Sequence, residues 1–143
     1  MSSAAASWRL ELRIASETER SQAVIAEILA QLEAHSWESQ DQFGIHLALE
    51  EALVNAIQHG NKSDPAKKVS ILCEISREHY LVDIEDEGPG FKISEVPDPT
   101  DETHLDRPHG RGLLLMRSFM TSVDYLGRGN RVRMTKQRSA PAS

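Results

Sequence analysis

Trp8, Leu10, Leu12 and Ile14 alternate with Arg9, Glu11 and Arg13, a period of two that predicts a half-buried strand at the start of the chain. The period then changes. Val24, Ile25, Ile28, Leu29 and Leu32 recur at helical spacing, which predicts an amphipathic helix over about residues 17–35. Ser16 followed by Glu19 reads as its capping box. A second helix is expected from about Asp41 to His59, ended by Gly60-Asn61. Ser63-Asp64-Pro65 marks a turn. Strands are expected over about residues 67–76 and 79–86, joined as a hairpin near Arg77-Glu78. From Gly88 to Pro108 the periodicity is lost among prolines and acids, as in a long functional or disordered loop. Leu113–Met120 reads as a short helix. Residues 123–126 and 131–134 read as a terminal hairpin turning at Gly127 to Asn130. The order β-α-α-β-β-loop-α-β-β predicts an α+β two-layer sandwich, a mixed and mainly antiparallel sheet with helices on one face. The expected domain spans residues 8–136, with residues 1–7 and 137–143 as flexible tails.

A chain of 143 residues with 39% hydrophobic and only 5% aromatic residues can build one mainly aliphatic core. The formal net charge of -6 argues against direct nucleic-acid binding, which calls for a basic footprint. The charge is uneven. Asp83 to Asp106 holds nine acids and one Lys, whereas Arg107 onward holds eight Lys or Arg and one acid. Two solvated surfaces are the default explanation of such a split. The one cysteine, Cys73, alternates with Val69, Ile71 and Ile75 and reads as a core residue in a reducing, cytoplasmic setting. The N-terminus carries no signal-peptide pattern, and no apolar run approaches the ~20 residues of a membrane helix.

The second helix is unusually apolar over residues 45–57. Glu51, Asn55 and His59 follow one another at steps of four and stack on one face. Taken alone, such a stripe is more often solvent-facing, since Glu is mostly exposed. As a ligand-facing stripe it offers an amide oxygen for a hard cation such as Mg²⁺ and a carboxylate base one turn away. Glu50 is rotated about 100° from Glu51 and should miss it. A strand ending at Asp86 leads into Glu87-Gly88-Pro89-Gly90. There a carboxylate can accept from an exocyclic amine, and Gly88 lets a flat base approach. Gly90 can hinge the loop that follows. Gly110-Arg111-Gly112 opens a helix, a setting that favours anions, and Arg111 or Arg107 could add charge. An acidic turn and a loop-to-helix junction explain these two features equally well when each is taken alone.

The three features in order are E-A-L-V-N-A-I-Q-H-G-N, D-E-G-P-G-F and H-G-R-G-L-L-L-M-R. Together they resemble the N box and glycine boxes of the Bergerat-fold, histidine-kinase-like ATPase superfamily. Glu51 one turn before Asn55, the N-A-I-Q-H run and the short chain look most like the anti-sigma-factor serine/threonine protein kinases. The resemblance covers about residues 8–136. It implies ATP and Mg²⁺ as cofactors, Glu51 as general base, Asn55 as Mg²⁺ ligand and Asp86 as reader of the adenine amine. It also implies Gly88, Gly90, Gly110 and Gly112 as shapers of the pocket and lid, and Thr135 near the adenine. Residues 91–109 would be the ATP lid. Pro108-His109 and Arg111 depart from the common form of the second glycine box. The implied partners are a sigma factor and an antagonist protein, and relatives are commonly dimers. A non-enzymatic ATP-dependent switch and a stand-alone histidine-kinase-type domain are the alternatives.

Overall fold

The computed structural model describes residues 7–89, 116–127 and 129–138. Strand β1 (Trp8–Ala15) is followed by helices α1 (Thr18–Ala34) and α2 (Ser39–Val54), and α2 continues into a π-helical segment, Asn55–Gly60. Strands β2 (Lys68–Ile75), β3 (His79–Glu85), β4 (Ser122–Leu126) and β5 (Arg131–Gln137) complete the described elements. The sheet order is β1-β2-β3-β5-β4, and each of the four pairings is antiparallel. No helix of the described residues is long and apolar enough to cross a membrane.

Strand alternation puts Val69, Ile71, Cys73 and Ile75 on the face that also carries Tyr80, Val82, Ile84, Val132 and Met134, all buried. Against this face lie Ile28 and Leu32 of α1 and Ile45, Leu49 and Leu53 of α2, each 0–1% exposed. Cys73 is part of this core, and burial pushes its thiol pKa up. The opposite sheet face is polar. There Asp83 receives a two-pronged Arg131 guanidinium at 2.8 and 2.9 Å and a bond from Arg133 at 3.0 Å. The β2–β3 hairpin turns at Arg77-Glu78 as expected, closed by Ser76 N–H to the His79 carbonyl at 2.9 Å. The β4–β5 turn places Gly127 and Gly129 at φ 61° and 90°, backbone that glycine adopts without strain.

Three local expectations change. Ser16 and Glu19 form no capping box: α1 starts after Glu17 without a side-chain cap. The Ser16 hydroxyl is committed instead to the Lys67 carbonyl, 2.7 Å away on the approach to β2. The second helix is α-helical only to Val54. The chain end is anchored further than expected, because β5 runs to Gln137 and Arg138 donates to the Ser36 and Arg77 carbonyls and pairs with Glu38. Met116 to Phe119 are helical, and the remainder of the predicted short helix lies outside the described residues.

Arg138 therefore ties the α1–α2 link to the β2–β3 hairpin with a side chain only 14% exposed. Arg138→Ala should destabilise the fold by about 0.5–1.5 kcal/mol, the usual net worth of a hydrogen bond whose acceptors, here the exposed Ser36 and Arg77 carbonyls and Glu38, can turn to water. The check is a urea titration, in which the midpoint falls and the slope stays constant.

Candidate functional site

α2 buries Ile45, Ala48, Leu49, Ala52 and Leu53, and Glu51 and Asn55 stand half-buried beside them, so these two polar side chains need partners or a ligand. Glu51 is half-buried. Burial is the main force raising its pKa above the usual glutamate value; nearby His59 and a hydrogen bond with Asn55 pull it back, and Glu50 pushes it up. One turn on, at Asn55, the helix widens. The Asn61 N–H reaches back to the Ala56 carbonyl at 2.9 Å, a bond of π type. Such bulges are frequent at functional sites. The Asn55 Oδ1 is buried and has no hydrogen-bond partner among the described residues. An acceptor-only oxygen in that state suits a cation.

Across from this segment, Asp86 follows the last residue of β3. The Asp86 N–H donates to the Asn130 carbonyl at 2.9 Å, and Asn130 Nδ2 donates to the Asp86 carbonyl at 2.7 Å. The Gly88 N–H returns to Asp86 Oδ1 at 2.8 Å, and the Glu87 N–H goes to Asn61 Oδ1 at 2.7 Å. Both glycines at this junction are sterically required. A Cβ on Gly88 would stand 2.1 Å from the Gly60 carbonyl oxygen, and a Cβ on Gly60 would stand 2.3 Å from the Asp86 carboxylate.

Between the two segments lies a cleft of about 140 Å³. The helix contributes Ala52, Asn55, Ala56, His59 and Gly60 to its walls, and β3 with its turn contributes Ile84, Asp86 and Pro89. Tyr125 of β4 and the Gly129–Val132 stretch close it. Burial pushes the Tyr125 hydroxyl up to about 12, partly offset by Arg117 and reinforced by Glu51.

The structure thus brings Asn55 and Asp86 to one cleft, with Gly88 in the turn beneath and Glu51 one turn up the helix. It does not bring Thr135 there. Thr135 lies on the opposite sheet face, its hydroxyl 2.5 Å from that of Ser122, because on β5 it alternates with the inward Val132 and Met134. Gly90, Gly110, Arg111, Gly112 and the expected lid lie outside the described residues. Sequence reasoning missed Asn130, Tyr125 and the roles of Gly60 and Asn61. The position of Gly60-Asn61 at the end of the polar stripe was the one available signal.

The Mg²⁺ expectation can be tested on the donors present. Among the described residues no three His, Cys, Asp or Glu side chains cluster as a protein cage. Mg²⁺ needs none, since it takes one or two protein oxygens and completes its shell with phosphates and water. The orphaned Asn55 Oδ1 fits that role.

Comparison with known proteins agrees with this geometry. Residues 14–136 match the histidine kinase-like ATPase domain family. The anti-sigma F factor of Oceanobacillus iheyensis is 37% identical over 101 residues, 66% of this chain and 68% of that protein. An anti-sigma F factor of Clostridium perfringens is 32% identical over 136 residues, 90% of this chain and 94% of that protein. The serine/threonine-protein kinase BtrW of Bordetella bronchiseptica is 29% identical over 111 residues, covering 75% and 78%. With Asn55 and Asp86 on one cleft and these likenesses along most of its length, the chain belongs to the histidine kinase-like ATPase family, in the group of the anti-sigma F factors.

Proposed function

We propose that this protein is an ATP-dependent serine/threonine protein kinase that acts as an anti-sigma factor. It holds a sigma factor inactive and phosphorylates an antagonist protein that would otherwise release it. The observation that carries the reading is the pairing of the orphaned Asn55 oxygen with the Asp86 carboxylate on one cleft, Glu51 standing one turn away. The cleft's 140 Å³ is below the ~300–1,000 Å³ of a complete small-molecule site, a size suited to the base end of a nucleotide.

In this reading Asp86 accepts from the adenine exocyclic amine, and Gly88 lets the turn that carries Asp86 pack closely on Gly60. Mg²⁺, when bound, neutralises charge on the phosphates, with Asn55 Oδ1 among its ligands. Glu51 takes the proton of a serine or threonine hydroxyl as that oxygen bonds to the γ-phosphorus. The bond from that phosphorus to the bridging oxygen breaks, and ADP leaves. The phosphoprotein gains a charge of about -1.5 to -2, enough to reset a docked interface. The work belongs in the cytoplasm, where a lone thiol such as Cys73 stays reduced.

The test is incubation with γ-labelled ATP and a candidate antagonist protein. Label on serine or threonine is the expected outcome. Label on histidine would instead place the chain with the histidine kinases. Nucleotide-dependent sigma capture without any label would make it a non-enzymatic switch.

A further inference from the structure

Asn61 is wholly buried, at 0% exposure, one residue beyond the π-helical segment. A side-chain amide offers one acceptor oxygen and two donor hydrogens. All are used. Oδ1 accepts the Glu87 N–H at 2.7 Å, and Nδ2 donates to the Ser16 hydroxyl at 2.9 Å and to the Lys68 carbonyl at 3.0 Å. The Ser16 hydroxyl donates in turn to the Lys67 carbonyl at 2.7 Å, and the Lys68 N–H donates to the Glu87 carboxylate at 2.5 Å. One side chain thus binds the end of β1, the start of β2 and the turn after β3. A buried amide with every donor and acceptor satisfied rigidifies what it joins.

The neighbours of these residues matter most. Asn61 follows Gly60, and Glu87 sits between Asp86 and Gly88. The two backbones touch there, because the Gly88 main chain packs on the Gly60 carbonyl and Gly60 packs on the Asp86 carboxylate. The main-chain N–H of Asn61 closes the π turn on Ala56, next to Asn55. Asn61 therefore fixes the helix end carrying Asn55 with its main chain and the turn carrying Asp86 with its side chain.

We infer that Asn61 is a positioning residue for base selection. It holds the Asn55 segment and the Asp86 turn at a set separation and so fixes the preference for adenine over guanine nucleotides, without itself lining the cleft. The inference rests on the proposed reading of Asp86 as the adenine reader. A purely structural Asn61 would change thermal stability and leave the nucleotide preference of the folded protein untouched.

The experiment titrates Mg²⁺-ATP and Mg²⁺-GTP into the whole chain by calorimetry, at a temperature where circular dichroism shows each variant folded. Asn61→Ala frees the Glu87 N–H. Asn61→Gln keeps the amide but adds a methylene that displaces the turn. Either folded variant should lose about tenfold in the ATP-to-GTP affinity ratio, the effect of one buried hydrogen bond. A folded variant with the wild-type ratio overturns the inference. If neither variant folds, Asn61 is a folding residue and the inference is equally overturned. Asp86→Asn runs alongside. A wild-type ratio in that variant would show that the base-reading assignment itself is at fault. A lowered ratio there, beside unchanged Asn61 variants, would sink the positioning role alone.

Discussion

Glu51→Gln should slow phosphoryl transfer to the protein substrate by about 10²–10⁴-fold, the usual contribution of a general base. The loss should sit at the low end, because phosphoryl transfer depends chiefly on positioning and electrostatics. Glutamine keeps the shape and can still pair with Asn55, so ATP affinity should hardly change. The wild-type rate should also fall with acid at a higher pH than an ordinary glutamate would give. Burial raises the Glu51 pKa above 4.5, and a base works only when deprotonated. That acid limb should be absent in Glu51→Gln. Loss of fold cannot mimic this result. A carboxyl with a raised folded pKa holds its proton more tightly when folded, so its contribution to stability is present at low pH. It is lost as pH rises through the folded pKa. At neutral pH the neutral glutamine should therefore be no worse for stability. Single-turnover rates with labelled ATP across pH, beside ATP binding, are the measurement. A wild-type rate in Glu51→Gln would remove Glu51 as the base.

Gly88→Ala should cost about 1–3 kcal/mol in ATP binding through overpacking, roughly 5–150-fold. The added methyl would stand 2.1 Å from the Gly60 carbonyl oxygen, a main-chain atom that cannot swing aside. The turn must then move, and Asp86 with it. Asp86 is pinned by Asn130 on one side, and Glu87 by Asn61 on the other, so the displacement has no cheap outlet. Gly127→Ala is the comparison: its Cβ would meet Asn130 Oδ1 at 3.5 Å, an ordinary contact that leaves the Asn130 bonds to Asp86 in place. That variant carries backbone strain at φ 61°, so it should lose stability while ATP affinity stays near wild type. Equal ATP affinity in Gly88→Ala and wild type would mean that the turn does not lie beneath the base.

The sheet was legible because period-two alternation is a local property. Trp8 to Ile14, Val69 to Ile75 and Tyr80 to Ile84 each declare their inward face without reference to the remainder of the chain. The same rule could have placed Thr135. Val132 and Met134 point inward, so Thr135 points away from the cleft. Family likeness put it near the base, and alternation overrules that. Asn55, Asp86 and Gly88 were legible because each sits at a break in a pattern: a polar gap in an apolar helix, and the end of a strand. The π-helical segment was not. Asn-Ala-Ile-Gln-His-Gly is compatible with an ordinary helix, and its geometry coincides with long-range bonds of Asn61 to Ser16 and Glu87. The failed capping box has the same cause, a Ser16 hydroxyl claimed by a carbonyl 51 residues away. Asn130 likewise acts on Asp86 across 44 residues, a separation at which local patterns carry no signal.

Calorimetric titration of Mg²⁺-ATP against Mg²⁺-GTP, on the wild type and Asp86→Asn, tests the adenine-reading cleft most directly. Wild type should bind ATP and bind GTP poorly, because the guanine six-position carbonyl cannot donate to the Asp86 carboxylate. Asp86→Asn should lose ATP affinity, because its amide can turn a donor toward the adenine amine. Equal binding of the two nucleotides by the wild type, or no heat with ATP at millimolar concentration, would contradict it.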